Sequence, residues 1–540
     1  VMLSSEELLH YNASVNDVHN IDVLLGVNTN KEQAFSMYGY GLRGVSDDVY
    51  YYNPQKVPPV VNHGTPEFPD YAATRYYSSD FTEKRMVSYF GRLGYNYKQR
   101  YLLEFTFRRD GSSTFGEGNR WANFPSVAVG WSFSEEPFIK RLTGGWLNWG
   151  KIRGSYGKSG QTFTSAYLAH GLMNIMDKSF FGKTGITTDK PVSPYLTWEK
   201  TRQYDLGLDM DMFNYRLNVK LDYYYKYTSS LIYDIPIPGS LYAFGAQVEN
   251  AMEISNEGLE LELQADILRE SAVSWRMKFN MARNWNRFEK SYSGKDVVDG
   301  DGTLLVVGRP LNGLYVWAHR GYYNSDAEVP RLYKIDGQEI YFNGVATNGI
   351  SGAVGDYRLL DLDGDGNPDS YYAGSPLPLA HGGWVNELMW KNFDLNVLVN
   401  FTIGRKMINN RMGLGFSRQS EDGHLTKLFD YRKLRPWDGV NKKPNAPAWG
   451  NSLSMNTDSA IEKVHHLALK QITLGYNLPD RISKKAGLSG VRFFLTAENL
   501  FYLSNYSGGN PEVVNIYTGR DNGDTYPLPR KYTLGLTLNF

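Results

Sequence analysis

The 540-residue sequence predicts an all-β fold, a transmembrane antiparallel β-barrel built from about fifteen strands. Apolar and polar residues alternate in segment after segment, and the segments are longer than typical soluble strands. Very short connections alternate along the chain with long ones rich in Gly, Pro and Asn. The composition agrees with this fold. The chain has 40 Tyr, 26 Phe, 12 Trp and 54 Gly, which suit β-sheets with at least one solvated face.

Each alternating segment places apolar side chains on one face and polar side chains on the other, because successive residues of a strand point to opposite sides. In the first of them, Tyr101, Leu103, Phe105 and Phe107 oppose a polar face that only Leu102 interrupts. In chain order the segments are "RYLLEFTFR" at 100–108, "SVAVGWSF" at 126–133, "LGLDMDM" at 206–212, "LNVKLDYYYKY" at 217–227, "LELEL" at 259–263, "FDLNVLVNF" at 393–401 and the last ten residues.

The connections between these segments fall into two classes. The short ones are "YKQ" at 97–99, "FNY" at 213–215 and "WKN" at 390–392, and the long ones are 109–121, 158–195, 229–250, 405–460 and 501–529. Short turns on one side and long loops on the other are typical of an outer-membrane barrel. A soluble β-propeller would instead repeat every 40–50 residues or so, and no such repeat is found.

One stretch leaves the strand count open. The turns at 213–215 and 390–392 belong on the same side, which requires an even number of crossings between residues 286 and 379. Either "LYVWAHRGYY" at 314–323 crosses together with "QEIYFNGV" at 338–345, or neither segment crosses.

Charge and cysteine content exclude several classes of function. Lys plus Arg equals Asp plus Glu at 57 each, so the chain lacks the basic excess on which nucleic-acid binding depends. There is no cysteine, which excludes disulfides, thiolate metal sites and cysteine nucleophiles. The sequence has no run of about 18 apolar residues, so it predicts no membrane-spanning helix. Any export signal is expected upstream of Val1.

Several segments, in order, resemble the SusC-like (RagA-like) TonB-dependent outer-membrane transporters. The match is strongest in "RDGSSTFGEGNRWANFPSVAVGW" at 109–131. It continues in 196–232, "SNEGLELEL" at 255–263, "GRPLNGLYVWAHRGYY" at 308–323, "ITLGYNLP" at 472–479, "LTAENLFYLSNYSGGNPE" at 495–512 and "YPLPRKYTLGLTLNF" at 526–540.

The resemblance implies that residues 1–540 form the C-terminal portion of such a barrel, in the bacterial outer membrane and surrounded by its lipid. The plug domain is expected to lie outside this chain, and a polypeptide with the N-terminal barrel strands and the plug is expected as a partner that couples to the TonB complex. Family members also carry a SusD-like surface lipoprotein as a cap. Short turns would face the periplasm and long loops the outside.

The function implied is the pore-forming part of an active importer for oligosaccharides or oligopeptides. One alternative is a non-transporting outer-membrane receptor or adhesin, and another is a soluble β-propeller glycosidase. The sequence contains no Walker loop, dinucleotide fingerprint, HExxH or GxSxG, and we predict that the chain is not an enzyme.

Two groups of residues are weak candidates for ligand contacts. Trp437 and Trp449 lie in a long loop, where their rings would stack on cargo or, alternatively, pack against other loops. Arg109, Asp110 and Arg120 would contact ligand or, alternatively, fix a tight loop, with Gly111 supplying a permissive backbone. Charged strand residues such as Lys220, Asp222, Glu260 and Glu262 would face a watery lumen or the plug.

The acidic run "DLDGDGNPD" at 361–369 matches the first ligand positions of a calcium loop, with Gly366 at the sharp turn. Position twelve is Tyr372 instead of a bidentate Glu, and the flanks show no helical pattern. The run therefore predicts either a structural Ca²⁺ that pins a long loop or a water-solvated turn. The candidate ligands are Asp361, Asp363, Asp365, Asn367 and Asp369.

Overall fold

Fifteen long strands pair in chain order to form one large antiparallel sheet. The computed structural model describes residues 1–41, 60–62, 71–73, 75–162, 165–171, 173–180, 183–188, 191–242, 244–269, 271–298, 304–329, 331–333, 339–341, 354–362, 369–410, 435–440, 443–448, 457–485, 487–523 and 525–540. The strand number agrees with the predicted one.

The strands of this sheet are numbered here in chain order. They are β1 Met2–Val15, β2 His19–Gly41, β3 Arg75–Tyr97, β4 Tyr101–Ser112, β5 Trp121–Trp131, β6 Leu147–Gln161, β7 Glu199–Met212, β8 Leu217–Pro236, β9 Ala246–Leu268, β10 Val273–Lys290, β11 Ala380–Trp390, β12 Phe393–Asn409, β13 Ile461–Asn477, β14 Gly490–Ser504 and β15 Lys531–Asn539. A sixteenth strand, Arg520–Asp521, pairs in parallel with the end of β12.

The remaining elements lie in the connections. The helices are α1 Pro137–Thr143, α2 Gly239–Tyr242 and α3 Asp480–Lys485, with 3₁₀ turns at Phe133–Glu135, Asp326–Glu328, Asp458–Ala460 and Pro511–Val513. Short strands pair as Val60–Asn62 with Tyr71–Ala73, Met173–Phe180 with Lys183–Thr188, Val297–Val298 with Leu304–Leu305, Leu314–Trp317 with Ser370–Gly374, His319–Tyr322 with Tyr357–Leu359, and Arg331–Tyr333 with Glu339–Tyr341. Among the described residues, no helix has the length and apolarity needed to cross a membrane.

The tightest connections use left-handed backbone at their central residues. Asn16 and Asp17 have φ values of 53° and 54°, and Lys98 and Gln99 have 55° and 56°. Two successive residues with positive φ match the twist of the flanking strands, which is why such turns close hairpins. The predicted turns at 97–99, 213–215 and 390–392 are confirmed to within one residue.

The structure answers the open question about residues 286–379. Strand β10 pairs directly with β11, from Val273 opposite Trp390 to Ala282 opposite His381. Residues 314–323 form two short strands that pair with Ser370–Gly374 and Tyr357–Leu359, away from the large sheet. Of 338–345, the described residues Glu339–Tyr341 pair with Arg331–Tyr333. As far as the structure describes them, neither candidate segment joins the large sheet, which agrees with the second alternative.

The predicted loop at 229–250 is wrong, because most of it is strand. Strand β8 continues to Pro236 and β9 begins at Ala246, so the connection shrinks to 237–245. Tilted barrel strands need only about ten residues to cross a membrane, and these strands continue well past that length. Sequence alternation marks the membrane-crossing part and gives no signal for where pairing ends.

Two compact units divide the chain. The first unit comprises 1–129, 155–203 and 228–252, and its buried cluster is Phe115, Ala122, Phe124 and Trp198. The second unit comprises 130–154, 204–227 and 253–540. One of its buried clusters packs Leu314, Val316 and Ala373 against Ile408 at the end of β12, which fixes a short sheet on the large one.

Candidate ligand-binding site

The apolar residues of the alternating segments share one exposed face of the sheet. Tyr101, Leu103, Phe105 and Phe107 of β4 are all more than 40% exposed, as are Leu534, Leu536 and Leu538 of β15. So much exposed apolar surface on neighbouring residues of long strands indicates contact with an apolar environment. This surface is called the apolar face below, and the opposite one the polar face.

Charges on the polar face are paired between strands that are adjacent or one strand apart. Lys278 donates to Glu387 at 2.7 Å, Arg276 to Asp266 at 2.6 Å, and Arg492 to Asp394 at 2.5 Å. Of the predicted polar-face residues, Lys220 lies 3.4 Å from Glu262, and Asp222 lies 2.5 Å from Arg153. Such pairs leave a wall that is hydrophilic and nearly neutral.

The polar face of the second unit carries a cavity of about 610 Å³. Strands β8–β13 line it with amide, imidazole and hydroxyl groups, and the charged groups of Lys220, Glu262, Lys278 and Glu512 also line it. His381 on β11 lies opposite Thr402 on β12, and Thr402 lies opposite His466 on β13. Gly383 has no side chain and so leaves space at the base of the cavity. Its N–H donates to the Asn280 side chain at 2.6 Å. These groups donate and accept hydrogen bonds, which suits a neutral polar ligand.

Residues 505–521, called the inward loop here, fold onto the polar face beside this cavity. The buried Arg405 guanidinium donates to the backbone oxygens of Pro511, Val514 and Asn515 at 3.2, 2.9 and 2.7 Å. These bonds fix the loop to β12 because a buried cation binds carbonyl oxygens strongly.

A second attachment of the inward loop is Glu512. Its carboxylate lies 3.4 Å from His466 and accepts from Lys470 at 3.2 Å, both on β13. His466 and Lys470 hold the pKa of the Glu512 carboxyl below its usual range, since they stabilise the charged form. Glu512 thereby becomes part of the cavity wall.

The ends of the acidic run close a hairpin. Asp369 donates its N–H to Leu360 at 3.0 Å, and its side chain accepts from the N–H of Leu362 at 2.5 Å. Asp361 lies within this hairpin and is exposed, whereas Asp363, Asp365 and Asn367 lie outside the described residues. Within the part of the chain that the structure describes, no group of three or more His, Cys, Asp or Glu is placed to hold a metal.

Of the two tryptophan candidates, Trp437 packs against other loops, and Trp449 lies outside the described residues. The Trp437 indole N–H donates to Asn324 at 3.1 Å, and its ring covers Gly355 so closely that a Cβ there would lie 2.7 Å from it. The ring is half-buried. This arrangement matches the packing interpretation of the residue.

The "RDGSS" segment of the first unit is a structural corner. Asp110 is buried and accepts from Arg108, Arg109 stacks on Trp121 at 5.3 Å, and Arg120 donates to the Phe115 carbonyl at 3.4 Å. The reason predicted for Gly111 is wrong, because its φ is not positive. A Cβ there would lie 2.8 Å from the Trp121 ring, so glycine is needed for space.

Sequence reasoning missed His319 and Asp458. The His319 Nδ1 contacts an Asp458 oxygen, and the Tyr371 hydroxyl donates to the other at 3.2 Å. The contact ties the short strand His319–Tyr322 to the 3₁₀ turn at Asp458–Ala460. His319 and Asp458 are 139 positions apart and form no motif, so sequence reasoning had no signal for their contact. The pairing of His466 with Glu512 likewise belongs to no sequence motif.

Comparison with known proteins places this arrangement in a family. Residues 8–397 match the model of the TonB dependent receptor-like β-barrel, and the chain belongs to that family. The apolar face is therefore the lipid-facing surface of an outer-membrane barrel and the polar face its lumen. The family consists of receptors and transporters, as predicted, and the β-propeller glycosidase alternative is excluded.

Individual relatives confirm the SusC-like resemblance. TonB-dependent receptor P26 of Formosa agariphila is 30% identical over 99% of this chain and 53% of its own length. TonB-dependent receptor SusC of Bacteroides thetaiotaomicron is 29% identical over 87% of this chain and 45% of its own. The chain spans about half the length of the curated relatives it matches.

A solved structure shows the same fold. The RagAB peptide transporter superposes over 100% of this chain and 55% of its own, with a TM-score of 0.79 and 22% identity. The same transporter described as in an 'open-open' state gives a TM-score of 0.78 at 21% identity. At this identity the likeness concerns the fold.

Proposed function

We propose that the chain is the pore-forming barrel part of an active outer-membrane importer for oligosaccharides or oligopeptides. It works with a SusD-like surface lipoprotein and is energised through TonB, which acts on the plug. The polar-face cavity carries the proposal: it lies in the barrel lumen, its charges are paired, and its free chemistry is that of amides, imidazoles and hydroxyls. Such a wall binds neutral polar chains by hydrogen bonds and releases them again.

The relatives support the same proposal. SusC is named a TonB-dependent receptor, and RagAB is described as a peptide transporter. A lipoprotein cap suits the long connections 291–379, 410–460 and 505–530, which all leave the same end of the second unit.

The test measures import separately from binding. Cells that express the receptor receive fluorescent oligosaccharides or oligopeptides, with and without a protonophore that removes the energy source of TonB. We expect cell-associated label of one class that becomes resistant to external quencher, and loss of that resistance with the protonophore. Label that stays accessible to the external quencher both with and without the protonophore would instead support the non-transporting receptor or adhesin.

We also propose that Asp361, Asp363, Asp365, Asn367 and Asp369 bind a structural Ca²⁺. The spacing of the donors supports this, and so does the hairpin that brings the segment's two ends together at Leu360 and Asp369. Removal of calcium with a chelator should raise protease cleavage in 361–369, and Asp363→Asn with Asp365→Asn should abolish the effect of calcium. Asp296→Asn with Asp326→Asn, in the same long connection, is the control. Equal cleavage with and without calcium would leave the solvated turn as the right interpretation.

A further inference from the structure

The five short connections of the second unit form a continuous rim at one end of the sheet. These are 132–146, 213–216, 269–272, 391–392 and 478–489, called the short-connection rim here. Phe213 donates to the Trp146 carbonyl at 2.7 Å, the side chain of Arg269 to the Asn214 carbonyl at 3.1 Å, and Asn477 to the Asn392 carbonyl at 2.8 Å. Trp390 lies opposite Val273, which brings the third and fourth connections together.

Charge is distributed unequally between the rim and the opposite end of the unit. The rim contains eight basic and four acidic residues, whereas 291–379, 410–460 and 505–530 together contain sixteen basic and twenty acidic ones. The chain as a whole is neutral, so the rim's excess is a local feature. Its basic residues are Lys140, Arg141, Arg216, Arg269, Lys391, Arg481, Lys484 and Lys485.

Helix α3 concentrates this charge on one side. Arg481, Lys484 and Lys485 are all exposed, and their i, i+3 and i+4 spacing places them on the same face. Like charges at this spacing repel one another, and an anionic surface beside the helix would relieve that repulsion. Among the described residues, none of the three forms an ion pair.

Apolar side chains accompany the cations instead of being buried beneath them. On α1, Phe138 and Leu142 are 59% and 81% exposed, beside Lys140 and Arg141. On α3, Ile482 is 51% exposed. A surface that exposes large apolar groups between basic ones is characteristic of segments that lie in a membrane interface.

Aromatic residues lie at the edge of this rim, where the connections join the strands. The Trp146 ring lies 6.2 Å from Phe213 in a tilted arrangement, and Trp390 stacks on Phe393 at 6.2 Å. The Lys391 ammonium lies 5.2 Å over the Trp390 ring. Trp rings of this kind mark the boundary between hydrocarbon and headgroups. Cations just beyond that boundary are at the depth of lipid phosphates.

We propose that the short-connection rim binds the phosphate headgroups of anionic phospholipids in the membrane leaflet on the short-turn side. Arg141, Arg481, Lys484 and Lys485 provide the charge, and Phe138, Leu142 and Ile482 insert among the upper acyl carbons. Continuity with the aromatic belt favours a lipid over a soluble acidic protein, because the same surface is already at the membrane interface. This lipid site is separate from cargo transport and goes beyond the proposed function.

The test measures lipid affinity of the whole receptor, purified in detergent and stripped of lipid. Phosphatidylglycerol and phosphatidylcholine are titrated separately, and bound lipid is counted by native mass spectrometry. The test variant is Arg141→Gln with Arg481→Gln, Lys484→Gln and Lys485→Gln. The control is Arg320→Gln with Arg435→Gln, Lys295→Gln and Lys443→Gln, which removes the same charge from the long-loop end. Heat-modifiable gel migration establishes that each variant is folded.

We expect the wild type and the control to prefer phosphatidylglycerol, and the test variant to bind it at least about tenfold more weakly. Phosphatidylcholine binding should be equal in all three. Equal loss of phosphatidylglycerol in both variants, or unchanged binding in the test variant, would overturn the proposal. Displacement of phosphatidylglycerol by an excess of inorganic phosphate would also overturn it, because it would show a general anion patch without a lipid requirement.

Discussion

Arg405 is nearly fully buried at the end of β12, and its guanidinium holds the inward loop through three backbone carbonyl oxygens. Hydrogen bonds to a charged group contribute about 1.5–3 kcal/mol each, and burial of the cation offsets part of that sum. Arg405→Met should therefore lower the free energy of opening the loop by about 2–3 kcal/mol and leave the sheet intact. Hydrogen exchange of 505–521 measures this change. The exposed Arg320→Met is the control, and unchanged exchange in Arg405→Met would show that the loop is held by other contacts.

Glu512 makes the same attachment sensitive to acid. Its pKa is lowered from the usual 4.5 because His466 and Lys470 stabilise the carboxylate, so its contribution is fully present above pH 4.5. The contribution is lost as the pH falls through the lower folded-state pKa. Protection of the loop from exchange should thus decrease in acid in the wild type, and Glu512→Gln should be less protected at neutral pH and change less on acidification. An identical acid response in both proteins would assign the effect to another group.

The strands could be predicted where the geometry of an extended chain alone determines which side chains share a face. Alternation of side chains is a property of any extended strand, so the apolar faces of β4 and β15 could be identified from the sequence. The ends of β8 and β9 could not, because pairing outside the membrane depends on cross-strand contacts. Nor could the inward loop, because Arg405 and its acceptors are more than 100 residues apart.

The two faces of β2 should differ in how well they tolerate the same added charge. Leu25 is 53% exposed on the apolar face opposite Leu9, and Asn28 lies on the polar face, where it donates to Glu6 at 3.2 Å. Leu25→Arg should destabilise the barrel by up to about 4 kcal/mol, the cost of a lipid-facing Arg at the bilayer midplane. Asn28→Arg should be nearly neutral because it gains an ion pair with Glu6. Reversible denaturation of the receptor in lipid vesicles measures both, and equal effects would contradict the assignment of the faces.

At the scale of the whole molecule, the family and the number of strands followed from the ordered segments, but the lumenal site did not. Its cavity requires β11, β12 and β13 to place His381, Thr402 and His466 side by side, and this depends on register. Local sequence shows only that each residue lies in an extended segment. The bulge in β13 at Leu469–Gln471 shifts that register further, and no residue pattern marks it.

Cargo passage through the cavity can be tested by substituting a glycine at the base of the cavity. A Cβ on Gly383 would lie 3.4 Å from Asn400 and 3.5 Å from Asn280, so a side chain fits there without displacing the backbone. At Gly382 the Cβ would lie 2.0 Å from the Asn280 carbonyl oxygen, so a substitution there would disturb the strand. Gly383→Phe is therefore the variant that fills the cavity in a folded barrel.

Gly383→Phe should reduce cargo uptake about tenfold, because the phenyl ring would keep cargo from the wall and the loss of one or two hydrogen bonds costs about 1–3 kcal/mol. Gly94→Phe is the matched control, since its Cβ also finds room, 3.5 Å from Asp22, at a site outside this cavity. Initial rates of protonophore-sensitive uptake are compared at equal amounts of folded receptor. If both variants transport at the wild-type rate, cargo takes a path that avoids the His381–Thr402–His466 wall; if both lose transport equally, the effect belongs to the barrel wall in general and not to this cavity.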